Sequence, residues 1–455
     1  MSSTTAEYSL PPRPPFPRPL ATGLFLFGAV RRHPSLRRRF GDAFFLRLPA
    51  IGPTVVITDP ALVKQLFTAP ADVVYGGENN PLSPTLGPYS SFSLDEDEHL
   101  RQRRLLLPPF HGERMGGYAE IFEEEALREI ATWPEGKEFP TLQPMMRITL
   151  NAILRTVFGI AEGPEFDSFR RWMPGWVKLG SALTALPWAQ RDLGRWSPWA
   201  RFMKTRRLYD SLVDGLIDRG RADPSLSERG DVLALLLQAR YEDGTEMRRE
   251  ELRDQLLSLL VAGHETTAGS LAWAIERLRR NPAVLARLVE EVRDGGGELR
   301  EATIREVQRT RPVIAATGRT VKKPFELGEW RLPPGTRVVI DGSLMHYDPR
   351  LFDDPKRFDP DRFLGRTPET YEWVPYGGGR RRCVGAAFAH LEMDVVLRAV
   401  LARVELLPTR RRPEGWRFRG VAFAPARGGL AQVRHRTDPL VFGERRAAAA
   451  VAAPA

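Results

Sequence analysis

From Arg249 to Arg279 the chain carries a helical pattern with apolar residues on nearly every face, densest through Leu256-Leu257-Ser258-Leu259-Leu260. A helix that is hydrophobic all round has no face to offer water, so it must run through the centre of a domain. That element limits the fold to a large, mainly helical body built on a buried axis. The other helical patterns are Glu120–Thr132, Leu142–Phe158, Phe202–Arg219, Val232–Tyr241 and Ala386–Leu401. Strand-like runs flank them. Ala43–Leu48 and Thr54–Thr58, separated by Pro49, Gly52 and Pro53, read as a β-hairpin. Glu329–Leu332 and Thr336–Ile340 read as strands joined by a turn at Pro333-Pro334-Gly335. No internal repeat or mid-chain linker interrupts this order. We therefore expect a proline-rich arm over 1–20, one mostly α domain with small β-sheets over 21–440, and a low-complexity tail over 441–455.

The chain has 455 residues and a formal charge of +10, which raises the question of nucleic acid. Its arginines, however, are scattered among acids, as in Asp95-Glu96-Asp97-Glu98 followed by Arg101-Gln102-Arg103-Arg104, and no nucleic-acid module is present. No nucleic-acid partner is expected. One cysteine excludes an intrachain disulfide and agrees with a cytoplasmic location. The longest apolar candidate, Leu20–Val30, is too short for a transmembrane span, and it lacks the flanks of a signal peptide.

That cysteine sits in Tyr376-Gly377-Gly378-Gly379-Arg380-Arg381-Arg382-Cys383-Val384-Gly385. The glycines let the backbone bend sharply and approach a flat ligand closely. The helical pattern starting at Ala386 brings amide N–H groups and a dipole that favour thiolate over thiol. A thiolate in a protected loop is the strongly donating ligand that an iron centre requires.

A second constellation, Ala262-Gly263-His264-Glu265-Thr266-Thr267, lies midway along the long apolar helix. Small residues there let the helix pass close to a ligand. An acid followed by a hydroxyl suits a proton relay, in which the hydroxyl holds water and the carboxylate resupplies protons. The alternative is that the threonines simply bond back to helix carbonyls. A zinc His-Glu-x-x-His site is excluded because its fifth position is Ala268.

The cysteine segment resembles the haem-binding signature of the cytochrome P-450 superfamily, Phe-Gly-Gly-Gly-x-Arg-x-Cys-x-Gly with a later alanine. It matches at Gly377, Gly378, Gly379, Arg381, Cys383, Gly385 and Ala389, and departs at Tyr376, which replaces phenylalanine and adds a hydroxyl near the cysteine. The spelling of the helix segment is that of the superfamily's oxygen-activating segment, with Glu265 and Thr266 as the acid–alcohol pair. Glu306-x-x-Arg309 followed by Pro360-Asp361-Arg362-Phe363 is similar to the family's structural acid–arginine network, with aspartate for glutamate in the second motif. His99-x-x-x-Arg103 resembles the family's helix motif that meets the haem propionates; Arg319 and Arg381 are further propionate candidates.

The resemblance implies a single-domain cytochrome P-450 fold with haem b held between the long central helix and the cysteine loop. Cys383 would be the axial ligand, with Ala262, Tyr376, Gly377, Gly385 and Ala389 also against the cofactor. It implies a monomeric monooxygenase that takes electrons from a ferredoxin and ferredoxin reductase and acts on a hydrophobic lipid, steroid, terpenoid or polyketide. The implied pocket is lined by the stretch Val73–Phe92, helices around Phe169–Phe202, Ala262, the turn Val313–Thr317 and the hairpin Val421–Ala424. The tryptophans 172, 176, 188, 196 and 199 form either a hydrophobic lid or core. A haem-thiolate sensor without turnover is the rival reading, and the proton-relay pair speaks against it.

Overall fold

A computed structural model describes residues 8–15, 40–48, 52–112, 114–186, 189–420 and 422–440. The candidate segment Leu20–Val30 and the tail 441–455 lie outside the described residues. The described part of the arm is not helical; the Phe45 amide donates to Pro12 O (2.9 Å) and the Ser9 amide to Arg331 O (3.1 Å). Its prolines forbid a helix and leave it to lie along the sheet.

In chain order the main helices are α1 (Pro60–Thr68), α2 (Glu96–Leu106), α3 (Arg114–Ile130), α4 (Leu142–Thr156), α5 (Pro164–Ala185) and α6 (Pro198–Ala222). They continue with α7 (Val232–Gln238), α8 (Arg249–Arg280), α9 (Pro282–Arg293), α10 (Glu298–Thr310) and α11 (Ala386–Arg403). The central element α8 spans 32 residues, one longer at its end than the apolar pattern suggested. Glu251 accepts from the Arg248 amide at its start, Arg277, Arg279 and Arg280 complement its C-terminal dipole, and Pro282 follows its end. Residues such as Leu256, Leu257, Leu260, Trp273 and Ile275 are fully enclosed. Helix α6 begins earlier than its periodicity suggested because the Ser197 hydroxyl caps the Ala200 amide (3.1 Å) and Pro198 takes the first turn.

The main sheet has the order β1-β2-β8-β5-β3, with β1 (Ala43–Leu48), β2 (Gly52–Ile57), β3 (Val74–Tyr75), β5 (Ala316–Val321) and β8 (Arg337–Asp341). Strand β1 pairs antiparallel with β2, as the hairpin reading required, with Phe45 opposite Val55. Strand β2 runs parallel to β8, and β8 antiparallel to β5, which places Arg319 opposite Val338. The short β4 (Phe139–Pro140) pairs with a late strand at Leu430–Ala431. The two strands on either side of Pro333-Pro334-Gly335 form as expected, with the turn between them, but they do not pair with each other. Strand β7 (Trp330–Leu332) pairs with β6 (Phe325–Leu327), whereas β8 joins the main sheet, so the turn passes the chain between two sheets. Beyond α11 come β9 (Val404–Leu406) and a hairpin of β10 (Trp416–Phe418) with β11 (Phe423–Pro425).

Of the five tryptophans, Trp172 and Trp176 are core, with Trp172 stacked on Tyr209 at 5.4 Å, and Trp199 stacks on Phe202 at 5.4 Å. Trp196 is 71% exposed. Trp188 lies outside the described residues.

Candidate functional site

The cysteine loop is shaped by its glycines, which let its backbone bend sharply. Gly377 and Gly379 adopt φ of +67° and +63°, a region costly for side chains. A Cβ on Gly378 or Gly379 would collide with Phe67 at the end of α1. Gly378 and Gly379 thereby let the loop pack closely against α1. The Cys383 amide donates to Tyr376 O at 2.9 Å, closing the loop, and the Ala389 amide donates to Gly385 O at 2.9 Å in the first turn of α11.

Cys383 keeps an exposed side chain, although much protein surrounds it. That burial in low dielectric pushes the thiol up from its ordinary value; the Gly385 amide and the Arg103 and Arg382 guanidiniums pull it down without prevailing. The amide at the helix start favours the thiolate, as expected, and desolvation opposes it. Tyr376 does not spend its hydroxyl on the sulfur. It accepts from Gln308 Nε2 at 2.7 Å, and burial pushes its own ionisation up.

The propionate candidates converge. Burial, with repulsion from Arg381, Arg103 and Arg319, pushes His99 down to about 3, and Arg319 is pushed down to about 10 by burial and Arg381. Arg103 makes no ion pair among the described residues, and Arg319 lies over the Phe67 ring at 5.4 Å. Arg381 is already engaged, bonding Ser91 O at 3.2 Å, Leu94 O and the Asp95 carboxylate. Asp95 also collects the amides of Gly76, Gly77 and Glu78 at 2.8–3.1 Å. Sequence reading missed Asp95 as an anchor, though its place four residues before His99 was a usable signal. One acid among these cations leaves a surplus of positive charge, which suits a ligand with two carboxylates. Arg101 and Arg104 instead pair with Asp243 and Glu242 at the surface.

Helix α8 is buried along most of its length but only half-buried at Val261, Ala262, Gly263, Glu265 and Thr266. Gly263 admits Ile153 of α4, so its smallness serves helix packing. Thr266 Oγ1 donates to Ala262 O at 2.6 Å, the back-bonded arrangement held open above. His264 donates from Nε2 to Met146 O at 3.0 Å and is pushed down to about 4 by burial, which makes it a neutral structural residue. Burial pushes Glu265 up against the opposing pull of Arg419, its ion-pair partner. Nothing in the sequence pointed to Arg419.

The acid–arginine network is assembled. Glu306 and Arg309 are fully buried and joined by two bonds of 2.7 Å. Arg362 Nε stands 3.3 Å from Glu306 Oε2 as an ion pair without hydrogen-bond alignment, and it donates to Asp353 O at 3.0 Å. Arg309 further binds His346 O, Pro355 O and Arg357 O, and His346 Nε2 accepts from the Val374 amide just ahead of the cysteine loop. Asp361, the variant residue of the second motif, pairs instead with Arg287 at 2.7 Å.

A lone exposed thiol with the Arg103 and Arg382 guanidiniums acting on it, beside a cationic cluster, is the donor set of a haem-thiolate protein. A family model described as cytochrome P450 matches residues 11–428. The chain is similar to "Putative cytochrome P450 138" of Mycobacterium tuberculosis (strain ATCC 25618 / H37Rv), 52% identical over 400 residues, covering 88% of this chain and 90% of that protein. It is also similar to "Putative cytochrome P450 135B1" of the same organism and strain, 39% identical over 448 residues, covering 96% and 94%. Among solved structures, "Retinoic acid bound cyanobacterial CYP120A1" shares the fold, with a TM-score of 0.80 at 22% identity over 94% of this chain and 100% of that one. The chain belongs to the cytochrome P450 family. It is a haem monooxygenase, with haem b as its cofactor and a need for a redox partner and a hydrophobic substrate. Among the described residues no helix is long and apolar enough to cross a membrane.

Proposed function

We propose that this chain hydroxylates or epoxidises a lipid, steroid, terpenoid or polyketide, using electrons from a ferredoxin and its reductase in the cytoplasm. When bound, haem supplies the redox chemistry that activates O2. Cys383 would hold its iron, with His99, Arg103, Arg319 and Arg381 on its propionates. Ala262, Tyr376, Gly377, Gly385 and Ala389 would border it.

The observation that carries the reading is the half-buried patch Val261, Ala262, Gly263, Glu265 and Thr266 midway along α8, after which Thr267–Arg279 are buried throughout. It gives an acid and a hydroxyl accessible surface midway along the helix. Because Thr266 gives its proton to Ala262 O, its oxygen stays available to accept from water. Burial pushes Glu265 up, which favours its protonated form more than water would and suits it to pass protons. Glu306, Arg309 and Arg362 would brace the segment that leads to the cysteine loop.

The structural neighbour holds retinoic acid, so the fold admits a hydrophobic ligand. The test is optical titration of the holoenzyme over a hydrophobic library, followed by turnover with ferredoxin, ferredoxin reductase and NADPH. Binders from one of the four classes should shift the Soret band and yield products heavier by one oxygen. Binding without any oxygenated product would overturn the reading.

A further inference from the structure

Arg419 opens the turn between β10 and β11, where its amide donates to Ala422 O at 2.9 Å. Its guanidinium pairs with Glu265 on α8, 154 residues away in sequence, and both side chains are mostly enclosed. The turn is held from two other sides. Gly420, at φ +94°, lies so close to α5 that a Cβ would stand 2.6 Å from Ser181 Cα. On the far strand the Phe423 amide donates to Val313 O at 2.8 Å. The hairpin tip thus lies between α8 and the last turns of α5, with no room for a side chain at Gly420, the residue next to Arg419. Glu265 and Thr266 are consecutive, so their side chains leave the helix roughly 100° apart. A carboxylate drawn to Arg419 is drawn toward the hairpin.

We propose that Arg419 is a positioning residue for Glu265: seated by α5 through Gly420, it holds the carboxylate in the ion pair, and displacement of α5 from the hairpin releases it to the proton relay. This rests on the reading of Glu265 as the relay acid. It gives the hairpin the task of reporting the position of α5 to α8.

Among the described residues Arg419 is the charged group acting on Glu265; His264, its neighbour on α8, turns its ring to Met146 of α4. The carboxyl of Glu265 can therefore be followed directly by infrared difference spectroscopy of the holoenzyme over a pH series. The band of interest is the protonated-carboxyl band abolished by Glu265→Gln. In Arg419→Gln its midpoint should rise by at least about one pH unit, because a buried acid has lost its cation. Arg419→Lys should restore most of the wild-type midpoint. Gly420→Ala, which pushes the turn off Ser181 and leaves the charge in place, should shift it in the same direction as Arg419→Gln.

An unchanged midpoint in Arg419→Gln would overturn the pairing. An unchanged midpoint in Gly420→Ala alone would overturn control by α5. The relay reading is judged separately by product formed per NADPH. If Glu265→Gln stays as coupled as wild type, that reading falls and this proposal with it. If Glu265→Gln uncouples turnover while Arg419→Gln titrates as wild type, only the role of Arg419 falls.

Discussion

The hydroxyl of Tyr376, the residue that departs from the family's phenylalanine, accepts a hydrogen bond from Gln308 Nε2 at 2.7 Å. Gln308 is buried on α10, one position from Arg309, and its Oε1 has no partner among the described residues. The extra hydroxyl therefore ties the start of the cysteine loop to the helix that carries the Glu306–Arg309 pair. Tyr376→Phe should strand the Gln308 donor and destabilise the protein by about 1–3 kcal/mol. Tyr376→Phe combined with Gln308→Leu should recover much of that loss. Urea unfolding of the single and double variants decides it, and additive losses would contradict the pairing.

Thr266→Ala should keep haem and substrate binding while diverting reducing equivalents. With the relay hydroxyl gone, product per NADPH should fall at least about tenfold and peroxide or water should take its place. Simultaneous assay of NADPH consumed, hydrogen peroxide released and product formed provides the check. Unchanged coupling would leave Thr266 with only its back-bond to Ala262.

Stability should fall on acidification through buried histidines remote from the cationic cluster. His264 and His346 are pushed down to about 4 and about 3, chiefly by burial. Their folded values lie below the unfolded value of about 6.5, so the unfolded chain binds protons first and stability is lost as pH falls from there. Protonation would also remove the acceptor that His346 Nε2 offers the Val374 amide. Between about pH 6.5 and about pH 4, His346 alone should cost on the order of 3 kcal/mol. The stability gap between wild type and His346→Asn should close by that amount over the same range. Parallel pH curves would show that His346 does not titrate as its burial implies.

Electron delivery should depend on the exposed Arg380 and Arg382, which flank Arg381 in the cysteine loop. An acidic ferredoxin steered by these charges should reduce the iron more slowly as salt rises. Arg380→Glu with Arg382→Glu should lower the low-salt association rate roughly tenfold. Stopped-flow reduction at several ionic strengths tests this; a rate indifferent to both salt and charge reversal would move the docking face elsewhere.

How much was legible beforehand follows from how far apart the interacting residues lie. The span of α8 was readable because apolar side chains on all faces are a local signature. The cysteine loop, the Glu306–Arg309 pair and the His99–Arg103 spacing were legible for the same reason. Contacts between distant segments were not. Gly378 and Gly379 owe their lack of side chains to Phe67, some three hundred residues earlier, and Gly263 owes its own to Ile153. The local pattern around Pro333-Pro334-Gly335 resembles a hairpin turn, yet strand partners are chosen by the sheets on either side. Helix ends moved where a cap outweighed periodicity, as at Ser197.

The assignment turns on Cys383, the one sulfur anion the chain can offer an iron. The most direct test is the reduced carbon-monoxide difference spectrum of wild type and Cys383→Ser, with haem content measured in parallel. Wild type should show the strongly red-shifted Soret band of thiolate ligation, and Cys383→Ser should lose that band. Retention of the red-shifted band in Cys383→Ser would contradict the account.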